Sequence, residues 1–237
     1  DSRVKMVLFV VATPIGNLKD LSERAKEVIK EADLVICESR EKGLKILNFL
    51  GLKKRMIYLP APREKDLARK IAEEIKNQNL KAVLLVSAGT PGVSDPGSFL
   101  VRECREIGVP VIPVPGPSAL SSAVSVSGIP IQRVLFLGFL PKKGRKNFLL
   151  NVKDALDKLP FPLSVVIFES PHRISRTLND IQDVFGDINL FLAREMTKAH
   201  EEYFFGNVDS VKRIIEKRGR LKGEITLVLE LTNLKGF

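Results

Sequence analysis

Val83-Leu84-Leu85-Val86-Ser87-Ala88-Gly89-Thr90-Pro91-Gly92-Val93-Ser94-Asp95-Pro96-Gly97 changes character abruptly. A short apolar run gives way to eleven residues, eight of them Gly, Pro, Ser or Asp, and a helical pattern begins near Ser98. The run reads as a buried strand ending in a loop at the carboxyl edge of a sheet. In an open α/β sheet that edge binds ligands, because backbone N–H groups and helix N-termini collect there. Gly89, Gly92 and Gly97 allow positive φ or close approach of a ligand, while Pro91 and Pro96 stiffen the path and withhold donors. A tight structural crossover of similar composition is the competing reading.

Outward from this loop, Met6 to Pro115 alternates strands with helices. Strands are predicted over 6–12, 34–37, 56–59, 82–86 and 109–114. Asp20 with Glu23 reads as a capping box before the helical spacing of Leu21, Ala25, Val28, Ile29 and Ala32. Leu44, Leu47 and Leu50 mark a short helix closed by Gly51. Leu67, Ala68, Ile71, Ala72 and Ile75 give one apolar stripe, and Leu100, Val101, Cys104 and Ile107 another. Strands that alternate with helices imply parallel crossovers and a sheet covered on both faces. Ser118 to Ser127 is a small-residue helix, and the domains are drawn as 1–117 and 118–237.

The second half departs from strict alternation. Strands are expected over 134–137, 163–168, 188–193, 203–205 and 225–231, with helices on Phe148 to Leu159, Ile174 to Phe185 and Val208 to Lys217. Shorter links between neighbouring strands make a mixed sheet the expectation. The fold class is therefore α/β, in two domains.

The 237 residues carry a net charge of +10, which points toward an anionic partner such as RNA. Lys142, Lys143, Arg145 and Lys146 cluster in one loop; Lys212, Arg213, Lys217, Arg218, Arg220 and Lys222 crowd a later stretch, and a solvated face is the bland account of each. No apolar run approaches the roughly 20 residues of a bilayer span. Met6 to Ala12 is short for a secretory leader, and the start at Asp1 without Met is expected to be either a processed or an artificial one. Cys37 and Cys104 fall at core positions and are expected as free thiols of a reducing cytoplasm; two Cys and two His make no zinc spacing, so no metal is expected.

Neither a P-loop nor the Gly-rich dinucleotide fingerprint is present, and there is no Gly-x-Ser-x-Gly elbow. What remains is a set of Gly/Pro turns at predicted strand ends, able to build a backbone-lined pocket. Ala12-Thr13-Pro14-Ile15-Gly16-Asn17-Leu18, Ala88 to Gly97, Pro115-Gly116-Pro117-Ser118-Ala119, Gly138-Phe139-Leu140-Pro141, Glu169-Ser170-Pro171-His172-Arg173, Ala193 to Lys198 and Lys222-Gly223-Glu224 occur in order. With these seven blocks the chain resembles the ribosomal RNA small subunit methyltransferase I family of the tetrapyrrole methylase superfamily, over nearly its whole length.

That resemblance implies two α/β domains with S-adenosylmethionine in the cleft between them. It also implies a homodimer and methyl transfer to the ribose 2′-oxygen of a decoding-centre cytidine, cytidine 1402 of 16S rRNA, free or in the small ribosomal subunit. Carried over by position, the cofactor meets Pro14, Ile15, Gly16, Ala88, Gly89, Thr90, Ser118 and Ala119, with Phe168, Glu169, Ala193 and Gly223 nearby. Two stretches depart from the family pattern. Ser87-Ala88-Gly89-Thr90-Pro91 lacks the usual Asp of Ser-Asp-Ala-Gly-Thr-Pro, and Glu38-Ser39-Arg40 stands for Glu-Asp-Thr-Arg, so the contacts of both aspartates are in doubt.

A ribose hydroxyl needs a base within hydrogen-bond reach, for which Glu169, His172 and Glu195 are the candidates. Lys142, Lys143, Arg145 and Lys146, with Arg173 and Lys198, are the expected RNA-backbone contacts. Two other readings stand beside this one: a porphyrinoid C-methyltransferase of the same fold, and an RNA-binding module without catalysis, which the two departures motivate.

Overall fold

The computed structural model describes residues 5–231; the chain start at Asp1 lies outside them. It divides into two compact units, one ending at Ser118 and one beginning at Ala119.

The first unit is an all-parallel five-stranded sheet. Its strands are β1 (Val7–Val11), β2 (Leu34–Cys37), β3 (Met56–Tyr58), β4 (Lys81–Leu85) and β5 (Val111–Val114), in the order β3-β2-β4-β1-β5. Helices α1 (Glu23–Glu31) and α2 (Arg40–Phe49) cover one face, where Ala25, Ile29, Ile46 and Leu47 pack on Val11, Val35, Val83 and Leu85. Helices α3 (Glu64–Asn77) and α4 (Ser98–Glu106) cover the other, through Ala68, Ile71, Ile75, Leu100 and Cys104 on Leu8, Leu34, Ile36 and Leu84. Successive strand residues alternate between these two cores, as a pleated strand buried on both sides must.

The start of α1 corrects one expectation. The cap is Ser22, whose side chain accepts from Ala25 N–H at 3.0 Å, and Asp20 closes a preceding 3-10 turn over Leu18–Asp20 instead. A hydroxyl directly before the first helical residue reaches the third N–H; Asp20 sits two positions too early.

The second unit has a mixed sheet. Its strands are β6 (Val134–Phe139), β7 (Ser164–Glu169), β8 (Asn189–Arg194), β9 (Glu202–Asn207) and β10 (Ile225–Leu229), in the order β6-β7-β10-β8-β9. Only β6 and β7 run parallel; β10 is antiparallel to both its neighbours, and β9 to β8. One face packs on α6 (Arg145–Asp157), α7 (Ile174–Phe185) and α8 (Val208–Arg218). On the other face, Val166, Phe191, Ala193 and Val228 meet Ala123 of α5 (Ala119–Val126). A bulge between Phe136 and Gly138, where Gly138 takes φ +62°, carries β6 past Leu137 to Phe139.

Both cysteines are buried and free, and burial pushes their thiols up to about 11 for Cys37 and about 12 for Cys104. A thiol whose pKa is raised in the fold contributes stability below its unfolded value, and this is lost as pH climbs toward the folded value. The first unit is therefore expected to lose stability progressively above about pH 9, the ordinary thiol value. Urea melts of the wild type and of the C37A/C104A pair between pH 7 and pH 10.5 check this, the slope being smaller in the pair.

Candidate active site

In the first sheet the chain leaves β1 toward β2 and leaves β4 toward β5, in opposite directions from adjacent strands. The two links cross, β1 to β2 passing beyond β4 and β4 to β5 beyond β1, with α1 on one face of the sheet and α4 on the other. Connections that leave adjacent strands for opposite faces open a crevice at their carboxyl ends. The two loops are tied at the opening: Thr13 N–H donates to Gly89 O at 2.9 Å and Gly89 N–H to Thr13 O at 3.0 Å. The fully buried Thr13 hydroxyl lies 3.2 Å from Val86 O and 3.3 Å from Gly89 O. A third turn joins them, because Thr90 Oγ1 donates to Pro117 O at 3.1 Å. Pro14, Ile15, Gly16, Ala88, Gly89, Thr90 and Ser118 thus belong to three turns held together by backbone carbonyls, and Ala119 opens α5.

Gly89 and Gly116 lie in these turns. Gly89 has φ +78°, and a Cβ there would stand 3.5 Å from Ile15 Cγ2 and 3.8 Å from Pro117 O. At Gly116 a Cβ would come within 3.1 Å of Ala12 Cβ. Where the family pattern has an aspartate, Ser87 donates through both N–H (3.1 Å) and Oγ (2.9 Å) to Glu38 Oε2. Glu38, the first residue of the second departing stretch, anchors the loop.

Glu64 was also missed. Only 6% exposed, its Oε1 accepts from Gly97 N–H at 2.9 Å, Phe99 N–H at 2.8 Å and Leu100 N–H at 3.2 Å. One carboxylate from the start of α3 therefore caps α4 and clamps the end of the loop at 87–97. In sequence it is an ordinary first-turn acid.

In the second unit the remaining residues collect at one sheet edge, because Ile225 registers with both Glu169 and Arg194, and Phe139 with Phe168. Phe168 meets the rings of Phe136 and Phe139 edge-on, at centroid distances of 4.9 and 5.7 Å. The buried Glu169 carboxylate is engaged on both oxygens. It accepts from Ser170 N–H at 2.7 Å, Arg173 Nε at 3.2 Å and Thr177 Oγ1 at 2.6 Å. It holds the turn into α7. Arg173 is accordingly committed to an ion pair.

Glu195 is similarly occupied. Its backbone sits at φ +53°, its N–H donates to Glu224 O at 2.9 Å, its Oε1 accepts from Glu224 N–H at 3.0 Å, and Lys198 pairs with Oε2. Gly223 permits this, since a Cβ there would fall 1.6 Å from Glu195 Oε1 and its φ is +95°. Ala193, two residues before Glu195, is buried in the core. Gly223→Ala is expected to destabilise the second unit by about 2–3 kcal/mol through the displaced carboxylate and the positive φ. Chemical denaturation measures it, and E195A/G223A is expected to cost less than the sum of the single changes because the clash is gone.

His172 is exposed and free of hydrogen bonds among the described residues. The basic loop divides. Lys142 and Lys143 are exposed and unpaired among the described residues, whereas Lys146 meets Asp183 at 3.1 Å. Arg145 corrects the expectation of a surface RNA contact: it is 4% exposed, its Nε 3.5 Å from Asp180 Oδ2. It opens α6, and packing against α7 outweighs the neighbouring lysines in setting its environment. Among the described residues no three His, Cys, Asp or Glu side chains gather as metal ligands, and no helix is long and apolar enough to cross a membrane.

Residues 7–212 match the family of Tetrapyrrole (Corrin/Porphyrin) Methylases. The chain is 41% identical over 223 residues to the ribosomal RNA small subunit methyltransferase I of Thermotoga maritima, covering 94% of this chain and 97% of that protein. The chain belongs to the ribosomal RNA small subunit methyltransferase I family. A member from Haemophilus influenzae is 40% identical over 229 residues, covering 94% of this chain and 78% of its own. The fold of this methyltransferase I family member is shared with diphthine synthase, at TM-score 0.69 and 18% identity over 94% of this chain and 89% of that one. It is shared also with uroporphyrin-III-C-methyltransferase from Thermus thermophilus, at TM-score 0.63 and 17% identity over 98% and 97%.

Proposed function

We propose that this chain transfers a methyl group from S-adenosylmethionine to the ribose 2′-hydroxyl of cytidine 1402 in the decoding centre of 16S rRNA. Family membership supports the reaction class. The observation that carries the cofactor reading is the Thr13–Gly89 tie between the loops that follow β1 and β4, where Gly89 at φ +78° leaves the backbone uncovered by a side chain. Pro14, Ile15, Gly16, Ala88, Gly89, Thr90 and Ser118 of the first unit hold the cofactor in this reading. Bound S-adenosylmethionine supplies an electrophilic sulfonium methyl.

The protein's own task is to hold the ribose oxygen in line behind that methyl and to take its proton. Of the three candidate bases, Glu169 and Glu195 already hold N–H donors and cations, while His172 is exposed with no hydrogen bond among the described residues, and the reading takes His172 as the base. Lys142 and Lys143 are free to meet RNA phosphates; Arg173 and Lys198 serve their carboxylates first. The reading carries with it a cytoplasmic location and, by family resemblance, a homodimer, which light scattering checks.

Incubation with methyl-labelled S-adenosylmethionine and small ribosomal subunits tests the proposal. Label in the 16S rRNA at a cytidine ribose is the expected result. Label only on a porphyrinoid acceptor, or no cofactor binding by calorimetry, overturns it.

A further inference from the structure

Beside the cofactor loop the first unit has a second concavity, of about 460 Å³. Val10, Pro91 and Val101 form its apolar floor, and Arg102 and Arg105 of α4 stand along its side. The two arginines are three residues apart on one helix face, both exposed, and neither guanidinium has a hydrogen bond or ion pair among the described residues. Their neighbours behave differently: Glu103 on the same helix is paired with Arg69 at 3.1 Å. Among the described residues Glu106 is the one carboxylate lining the groove, and Glu64 already occupies the N–H groups of Gly97, Phe99 and Leu100 at the helix start. Positive charge in the groove therefore comes from the guanidinium forks, not from the helix terminus.

We propose that this groove seats a single-stranded stretch of the acceptor RNA, with Arg102 and Arg105 on successive phosphates and a sugar or base edge against Val10, Pro91 and Val101. The inference rests on the RNA-methyltransferase reading and extends it to a surface of the first unit. Charge complementarity favours a polyanion: two unpaired guanidinium groups face one carboxylate, and guanidinium forks match phosphate oxygens pairwise. An apolar strip beneath two phosphate donors is the arrangement of strand-binding grooves, where the backbone is gripped by charge and the nucleoside rests on carbon. The contacts position the strand and read no sequence.

The test compares wild type, R102A/R105A and R102K/R105K in two assays. Fluorescence anisotropy with a fluorescein-labelled single-stranded oligoribonucleotide is run over a range of KCl concentrations, and methyl transfer to small ribosomal subunits is followed with labelled S-adenosylmethionine. In R102A/R105A the slope of log binding constant against log salt is expected to shrink by about 1.4, the value for two lost phosphate contacts on a single strand. KM for the subunits is expected to rise about tenfold with kcat unchanged, and the lysine pair to recover most of the slope. An unchanged salt slope and KM in R102A/R105A, in a wild type that does methylate subunits, overturns the groove assignment. A changed elution volume with the slope intact overturns it too and makes the groove a protein contact. If wild type methylates nothing yet R102A/R105A flattens the salt dependence, the groove assignment holds and the catalytic reading fails.

Discussion

Glu64→Ala is expected to remove about 3 kcal/mol from the stability of the first unit and to lower its Tm by roughly 10 °C. The carboxylate receives three backbone N–H groups at 2.8 to 3.2 Å, two of them at the buried residues Gly97 and Leu100. Alanine leaves those donors without an acceptor and deletes a negative charge from a helix N-terminus, and both losses act in the same direction. Glu64→Gln keeps an acceptor oxygen in place and is expected to cost about 1 kcal/mol. Calorimetry on the intact chain measures both. A melting temperature for E64A within 2 °C of wild type contradicts the clamp.

The second large effect concerns ligand affinity. Gly89→Val is expected to weaken S-adenosylmethionine binding about a hundredfold, equivalent to about 2.8 kcal/mol. A β-branched residue is a steric outlier at the φ of +78° found there. Its Cβ alone fits, at 3.5 Å from Ile15 Cγ2, but two further methyls have to push apart Ile15 and Pro117 and, with them, the Thr13–Gly89 tie. Gly89→Ala is expected to lose about tenfold, from the backbone alone. Isothermal calorimetry reads the affinity, and circular dichroism verifies that the variants are folded. Equal affinity in G89V and wild type moves the cofactor away from this crevice.

Most elements were legible because their signals are local. Leu34–Cys37 is a strand in both readings, since four successive buried apolar residues between polar flanks leave little else to form. The parallel sheet follows from alternation alone, and the crevice from the Gly/Pro turns at strand ends. What escaped depends on distant partners. Arg145 looks like its lysine neighbours until α7 brings Asp180 against it, and Glu64 looks like any helix-start acid until α4 arrives over it. The extension of β6 to Phe139 needed a bulge that Gly138 permits but does not announce. Glu169 and Glu195 carry the residue type of a base. Only coordinates reveal that their oxygens are already committed.

The position of β10 has a consequence for biogenesis. It is the last strand of its sheet to be translated, yet it lies between β7 and β8 and is antiparallel to both. Until residues 225–229 leave the ribosome, β7 and β8 each present a bare ladder of amide and carbonyl groups, flanked by apolar residues such as Val166 and Phe191. The first unit needs nothing beyond Ser118 for its own sheet and can close early in synthesis, whereas the second waits with open edges. Chains released short of Ile225 should therefore combine a completed first half with a sticky, unfinished second one.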